Sequence, residues 1–147
     1  MEEIIAPVER DLIKAELTKE AFLRYTNNGN NEVYLVNYHT APNIMREIGR
    51  LREITFRGAG GGTGQALDID ENDTCPYNYD QLIAWNPEDE EIIAGYRTIR
   101  CDKSVDENGN IHLSTSHYFQ FSDEFYKNYL PYTIELGRSW VQPKYQP

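Results

Sequence analysis

The sequence predicts an α/β domain: a mixed, mostly antiparallel sheet with helices packed against it. Three observations predict this. Tyr79 to Trp85 and Ile92 to Ile99 are rich in β-branched and aromatic side chains, and the acidic stretch Asn86-Pro87-Glu88-Asp89-Glu90-Glu91 between them reads as a hairpin loop. Ile44, Ile48, Leu51 and Thr55 recur at helical spacing, with Met45 and Phe56 widening the stripe. Near the C-terminal end, Thr133-Ile134-Glu135-Leu136-Gly137-Arg138-Ser139-Trp140-Val141 reads as a buried strand, punctuated by Pro131 and Pro143.

Taken in order, Arg10 to Tyr25 reads as helical, in two pieces broken near Thr18, which would cap Lys19 to Arg24. Asn27-Asn28-Gly29-Asn30-Asn31 is a turn cluster, and Glu32 to Tyr38 is a strand. The second helix opens at Ala41-Pro42, and its polar side (Arg46, Glu47, Arg50, Glu53) reads as an ordinary solvated face. Arg57-Gly58-Ala59-Gly60-Gly61-Gly62-Thr63-Gly64 lacks both a Gly-Lys-Ser/Thr ending and the GxGxxG spacing, so it reads as a flexible active-site loop or a plain linker rather than a phosphate cradle. Asp68, Asp70, Glu71, Asp73 and Asp80 follow, and their alternation with Leu67 and Ile69 suggests that some lie against a core. Asp106 to Asn110 is a turn at the tip of an excursion, and Ser122 caps a short helix from Asp123 to Leu130.

Length and composition bound the function. The 147 residues make one domain, 1–147, large enough for a real core. No apolar run approaches the roughly 18 residues that span a bilayer. The start, Met1-Glu2-Glu3-Ile4-Ile5, is acidic where a secretory signal is basic, so the expected location is the cytoplasm. A formal charge of −10 argues against nucleic acid as partner. Two cysteines, Cys75 and Cys101, are too few for a disulfide framework, and His39, His112 and His117 lack metal-ligand spacing with them, so no metal is expected. Ser139 is not in a nucleophile elbow, and Cys75 has no activating neighbour.

What remains is a set of charges in places where charge is costly: Arg52, Asp70, Asp73, Arg97, Glu135 and Arg138. Residues three apart on a regular strand face opposite sides, but Gly137 between Glu135 and Arg138 suggests a bulge that brings both to one face. Two readings are open. The set is an ion-pair network pinning the glycine-rich loop to the sheet, or one arginine binds a substrate carboxylate while Glu135 takes a proton from an attacking amine.

These residues also carry a resemblance. Arg52-x-x-x-Phe56-Arg57, Leu67-Asp68-Ile69-Asp70-Glu71-Asn72-Asp73, Gly95-Tyr96-Arg97 and Glu135-Leu136-Gly137-Arg138-Ser139, in that order, resemble the signature of lipid-forming N-acyltransferases of the GNAT superfamily. These include the ornithine-lipid and glycine-lipid synthases, also labelled hemolysins. The N-terminal portion resembles the Bacteroidetes branch, in Ile13 to Thr18 and Pro42 to Arg52. Acyl-homoserine-lactone autoinducer synthases carry a related pattern.

The resemblance implies a cytoplasmic transferase of aminolipid biosynthesis, with the inner face of the membrane as an alternative location. It would move a 3-hydroxy fatty acyl group from acyl carrier protein, or from coenzyme A, to the amine of glycine or ornithine. It implies no cofactor beyond that donor. The partners implied are the carrier protein and a small amino acid, with peripheral membrane contact and a homodimer left open. Glu135 and Arg138 would be catalytic, Glu135 lying on the central strand of the GNAT fold. Arg52 and Phe56 would line the acceptor side, and Asp70, Asp73 and Arg97 would shape the site. In GNAT proteins that strand leads into a loop and helix that hold the donor's phosphates. This chain reaches Lys144-Tyr145-Gln146-Pro147 where that loop is expected, so it reads as the N-terminal portion of such a domain, lacking the donor-binding half and inactive alone. Two other functions stay open: an autoinducer-like synthase using S-adenosylmethionine, and a non-enzymatic hemolysin or binding protein.

Overall fold

A computed structural model describes residues 1–147. Helix α1 (Arg10–Glu16) leads to β1 (Phe22–Tyr25) and β2 (Glu32–Val36), then to α2 (Pro42–Gly58) and the single turn α3 (Glu71–Thr74). Strands β3 (Asp80–Asn86), β4 (Glu91–Arg100) and β5 (Ile134–Val141) complete the sheet, in the order β1-β2-β3-β4-β5 with every pairing antiparallel. No helix is long and apolar enough to cross a membrane.

The helix α2 forms where its apolar stripe meets the sheet. Ile44, Met45, Ile48 and Leu51 are buried against Tyr34, Ile83 and Trp85. Pro42 occupies the first turn, where its missing N–H is no loss. The amides of that turn, which lack an intrahelical partner, are satisfied from α1: Glu16 accepts from Asn43 N at 3.0 Å and from Ile44 N at 2.8 Å.

On β3, Gln81, Ile83 and Trp85 are buried beneath α2, while Leu82 and Ala84 face the other side and stay half-exposed. A second, smaller core forms at the far end of β4. There Tyr79, Ile99, Cys101, Leu113 and Leu130 pack under the excursion that links β4 to β5. At the opposite end of the β3–β4 hairpin, surface ion pairs gather both flanks of the chain. Arg10 and Lys144 meet Glu91, at 3.1 and 3.2 Å, and Lys14 meets Glu90 at 2.6 Å.

Four sequence expectations need correction. Phe22 to Tyr25 is a strand, not a second helical piece. Thr18 closes a turn, its hydroxyl accepting from Ala21 N, and Phe22 then pairs with Tyr34, whose ring it meets edge-on at 5.6 Å. The polar side of α2 is not wholly solvated: Glu47 and Glu53 are buried. Glu47 accepts from Val8 N and Arg50, and Glu53 receives Thr63 N, Thr63 Oγ1, Gly64 N and Arg57. The glycine-rich stretch is therefore tied down at Thr63 and Gly64 rather than strung as a plain linker. Finally, β5 lies at one edge of these five strands, with Ile134 60% and Leu136 59% exposed, so it is not buried on both faces.

Candidate active site

The aspartate segment reaches the sheet because α2 leaves room for it. A Cβ at Gly49 would stand 2.7 Å from Cγ1 of Ile69, and without one Asp68 N donates to Gly49 O at 3.0 Å. Two residues on, Asp70 caps α3: its side chain accepts from Asn72 N, while Asp73 Oδ2 accepts from Asp70 N at 3.0 Å. Asp68 and Asp73 are thus fixed under the sheet, both buried.

Arg52 meets them from α2. It is 0% exposed, its Nε 3.3 Å from Asp68 and its Nη1 3.2 Å from Asp73. Gln81 Nε2 adds a hydrogen bond to Asp73 at 2.9 Å. This part of the cluster is sealed, with each charge paired and hydrogen-bonded as burial requires.

Arg97 and Arg138 extend the cluster toward solvent. Arg97 Nη1 lies 2.7 Å from Asp70 and 3.4 Å from Asp73, and Nη2 reaches Ser114 Oγ at 3.4 Å. Its Nε is buried and has no partner. Arg138 is a third exposed, with Nη2 3.3 Å from Asp70 and Nη1 3.6 Å from Asp68. Burial resists ionisation of Asp70, yet hydrogen bonds and charge from Arg97 and Arg138 hold its carboxyl down at about 2.

The expected bulge is present, with one difference. Between the pairs Gly95↔Trp140 and Arg97↔Gly137, β5 spends one residue more than β4. The left-handed residue in it is Arg138, at φ 50°, rather than Gly137. The extra residue turns Arg138 onto the face that carries Glu135 and Arg97.

Glu135 stands apart from the ion pairs. Its Oε1 accepts from the hydroxyl of Tyr79, and its Oε2 accepts from the hydroxyl of Thr115 and from Thr115 N at 3.4 Å. The structure therefore gathers Arg52, Asp70, Asp73, Arg97 and Arg138 into one network, with Glu135 alongside. Phe56 falls outside it. It packs against the main core and lines an apolar groove of about 1070 Å³ with Ile54, Leu82, Tyr96 and Trp140, a groove that none of the charged residues lines.

The ion-pair network pins the aspartate segment to the sheet; Glu53, outside the network, pins the glycine-rich loop. Sequence reasoning missed Asp68, Tyr79 and Thr115 as members of the site. Only Asp68 carried a signal, its place between Leu67 and Ile69.

Comparison with known proteins identifies the family. Residues 51–147 match the acetyltransferase (GNAT) domain family, two thirds of the chain. The chain belongs to the GNAT family. It is 60% identical over 147 residues to the glycine N(alpha)-acyltransferase of Bacteroides thetaiotaomicron, covering 99% of this chain and 44% of that protein. It is 56% identical over 147 residues to the glycine N(alpha)-acyltransferase of Phocaeicola vulgatus, covering 99% and 45%. The chain thus spans a little under half the length of these curated relatives. No solved structure matches it.

Proposed function

We propose that this chain carries the acceptor side of an amino-acid N-acyltransferase, with glycine as acceptor and a 3-hydroxy fatty acyl thioester of acyl carrier protein as donor. The observation that carries the reading is the placement of Glu135 beside, but not inside, the arginine–aspartate network. A carboxylate consumed by an arginine is a poor base, whereas Glu135 is held only by neutral donors. High identity to two glycine N(alpha)-acyltransferases supports the acceptor.

Amide formation needs a neutral amine. Glu135 takes a proton from the glycine ammonium or from the attacking nitrogen as the N–C bond forms. The C–S bond then breaks, the thiolate takes one of the two protons that nitrogen loses and leaves as the free carrier thiol, and the other proton passes to solvent. Such a positioned base contributes on the order of 10²–10⁴-fold. Among the three arginines, Arg52 is sealed and Arg97 is buried, so we assign the glycine carboxylate to Arg138, which has a third of its side chain open. Peripheral contact with a membrane belongs to the same reading, since the product is a lipid.

The test is the Glu135→Gln variant of the natural gene product that carries these residues. N-acylglycine, measured by mass spectrometry of extracted lipids, should disappear while the protein melts as before. Undiminished product would refute the assignment.

A further inference from the structure

Tyr79 touches both halves of the site, and the reaction as written does not use it. The side chain is fully buried in the smaller core. Arg97 lies over its ring, 5.0 Å from guanidinium carbon to ring centre. At the other end, Ser114 N donates to the phenol oxygen at 2.7 Å. That contact occupies the oxygen as acceptor and turns the O–H toward Glu135 Oε1.

We propose that Tyr79 is a positioning residue for Glu135: its hydroxyl, aimed by Ser114 N, fixes the orientation of the carboxylate with one acceptor site left for the amine proton. The inference rests on Glu135 being the base. A carboxylate offers about four lone-pair sites. Tyr79 takes one, and the hydroxyl and N–H of Thr115 take two more. Each of these three groups donates to the carboxylate.

The surroundings leave the tyrosine as a dependable donor. Burial, and then its bond to Glu135, push the phenol's ionisation far above its ordinary range. The charged and titratable neighbours come from four directions. Arg97 on β4 is held protonated by Asp70 and Asp73 against its burial. Burial, followed by the charge of Glu135, raises the Cys101 thiol on the turn after β4. Arg138 and Asp70 pair with each other beyond Gly137. His117, two residues past Thr115, turns its Nε2 to Glu71 at 3.4 Å.

The experiment is the pH dependence of N-acylglycine formation by the natural gene product and its Tyr79→Phe variant. Loss of one donor to a charged group should move the acidic limb of kcat/KM up by about one pH unit. Below the limb kcat/KM should therefore fall about tenfold at a given pH, while on the plateau KM for glycine should stay within about twofold. Thr115→Val should move the limb the same way. 3-Fluorotyrosine installed at Tyr79, a stronger donor of nearly the same shape, should move it down, and this arm decides the matter if the phenylalanine variant does not fold. An unmoved limb in a folded variant, with Glu135→Gln inactive, overturns the role of Tyr79 alone. Activity retained by Glu135→Gln overturns the base assignment and this inference with it.

Discussion

Arg138 reaches Asp70 from a left-handed backbone: at φ 50° its Nη2 lies 3.3 Å from Oδ2 of the aspartate. A side chain with a Cβ rarely adopts that conformation, and it costs about 1–2 kcal/mol. The strain places a guanidinium on the face that carries Glu135.

Strain and charge at this position can be separated. Arg138→Ala removes the ion pairs and keeps the unfavourable φ; Arg138→Gly removes both. The glycine variant should be more stable than the alanine variant by about 1 kcal/mol, read from urea denaturation. Both should lose acyl transfer to glycine. An alanine variant as stable as the glycine one would mean that the bulge relaxes freely.

Arg52 should prove structural before it proves functional. Its guanidinium is the shared partner of Asp68 and Asp73, and all three are buried. Arg52→Met leaves two carboxylates without it and should cost about 3–5 kcal/mol in denaturant unfolding. Arg52→Lys should recover only part of this, because a single ammonium cannot fork between two carboxylates.

Glu53 gives a pH signature. Burial opposes its ionisation, but donors from Thr63, Arg57 and Gly64 hold its carboxyl at about 2, against an ordinary 4.5. A depressed carboxyl adds stability that is complete above the unfolded value and fades as pH falls through the folded one. The gap in melting temperature between the parent and Glu53→Gln should thus be widest above pH 4.5 and close between there and about pH 2. A gap independent of pH would show that the loop is held by something else.

Gly49→Ala tests how the aspartates gain access to the site. Helix propensity alone favours alanine by about 1 kcal/mol. The clash with Ile69, at 2.7 Å, should reverse the sign and cost about 1–3 kcal/mol. Ile69→Ala in the same chain should relieve much of it, so the double mutant should be more stable than the sum of the single changes allows.

The elements legible in the sequence were those whose signal is local. The β3–β4 hairpin announced itself through two apolar runs and an acidic turn, α2 through its period, and the bulge through a glycine between two charges. Phe22 to Tyr25 was not legible, because four residues beside a helix-like run take their conformation from Tyr34 across the pair. Glu53 looked solvated because its partners Thr63 and Gly64 arrive from a loop ten residues on, which no helical period encodes. Tyr79 looked like a strand-end aromatic. Its meaning depends on Ser114 and Thr115, more than thirty residues later, folding back over it.

The ion pairs at the hairpin tip have a consequence for how the molecule comes apart. Arg10, Lys14 and Lys144 all close onto Glu90 and Glu91, so the first helix and the segment after β5 share a single electrostatic latch. These pairs lie at the surface, and concentrated salt shortens the reach of such charges to about 3 Å. Both flanks should therefore loosen together as ionic strength rises, before the sheet between them yields.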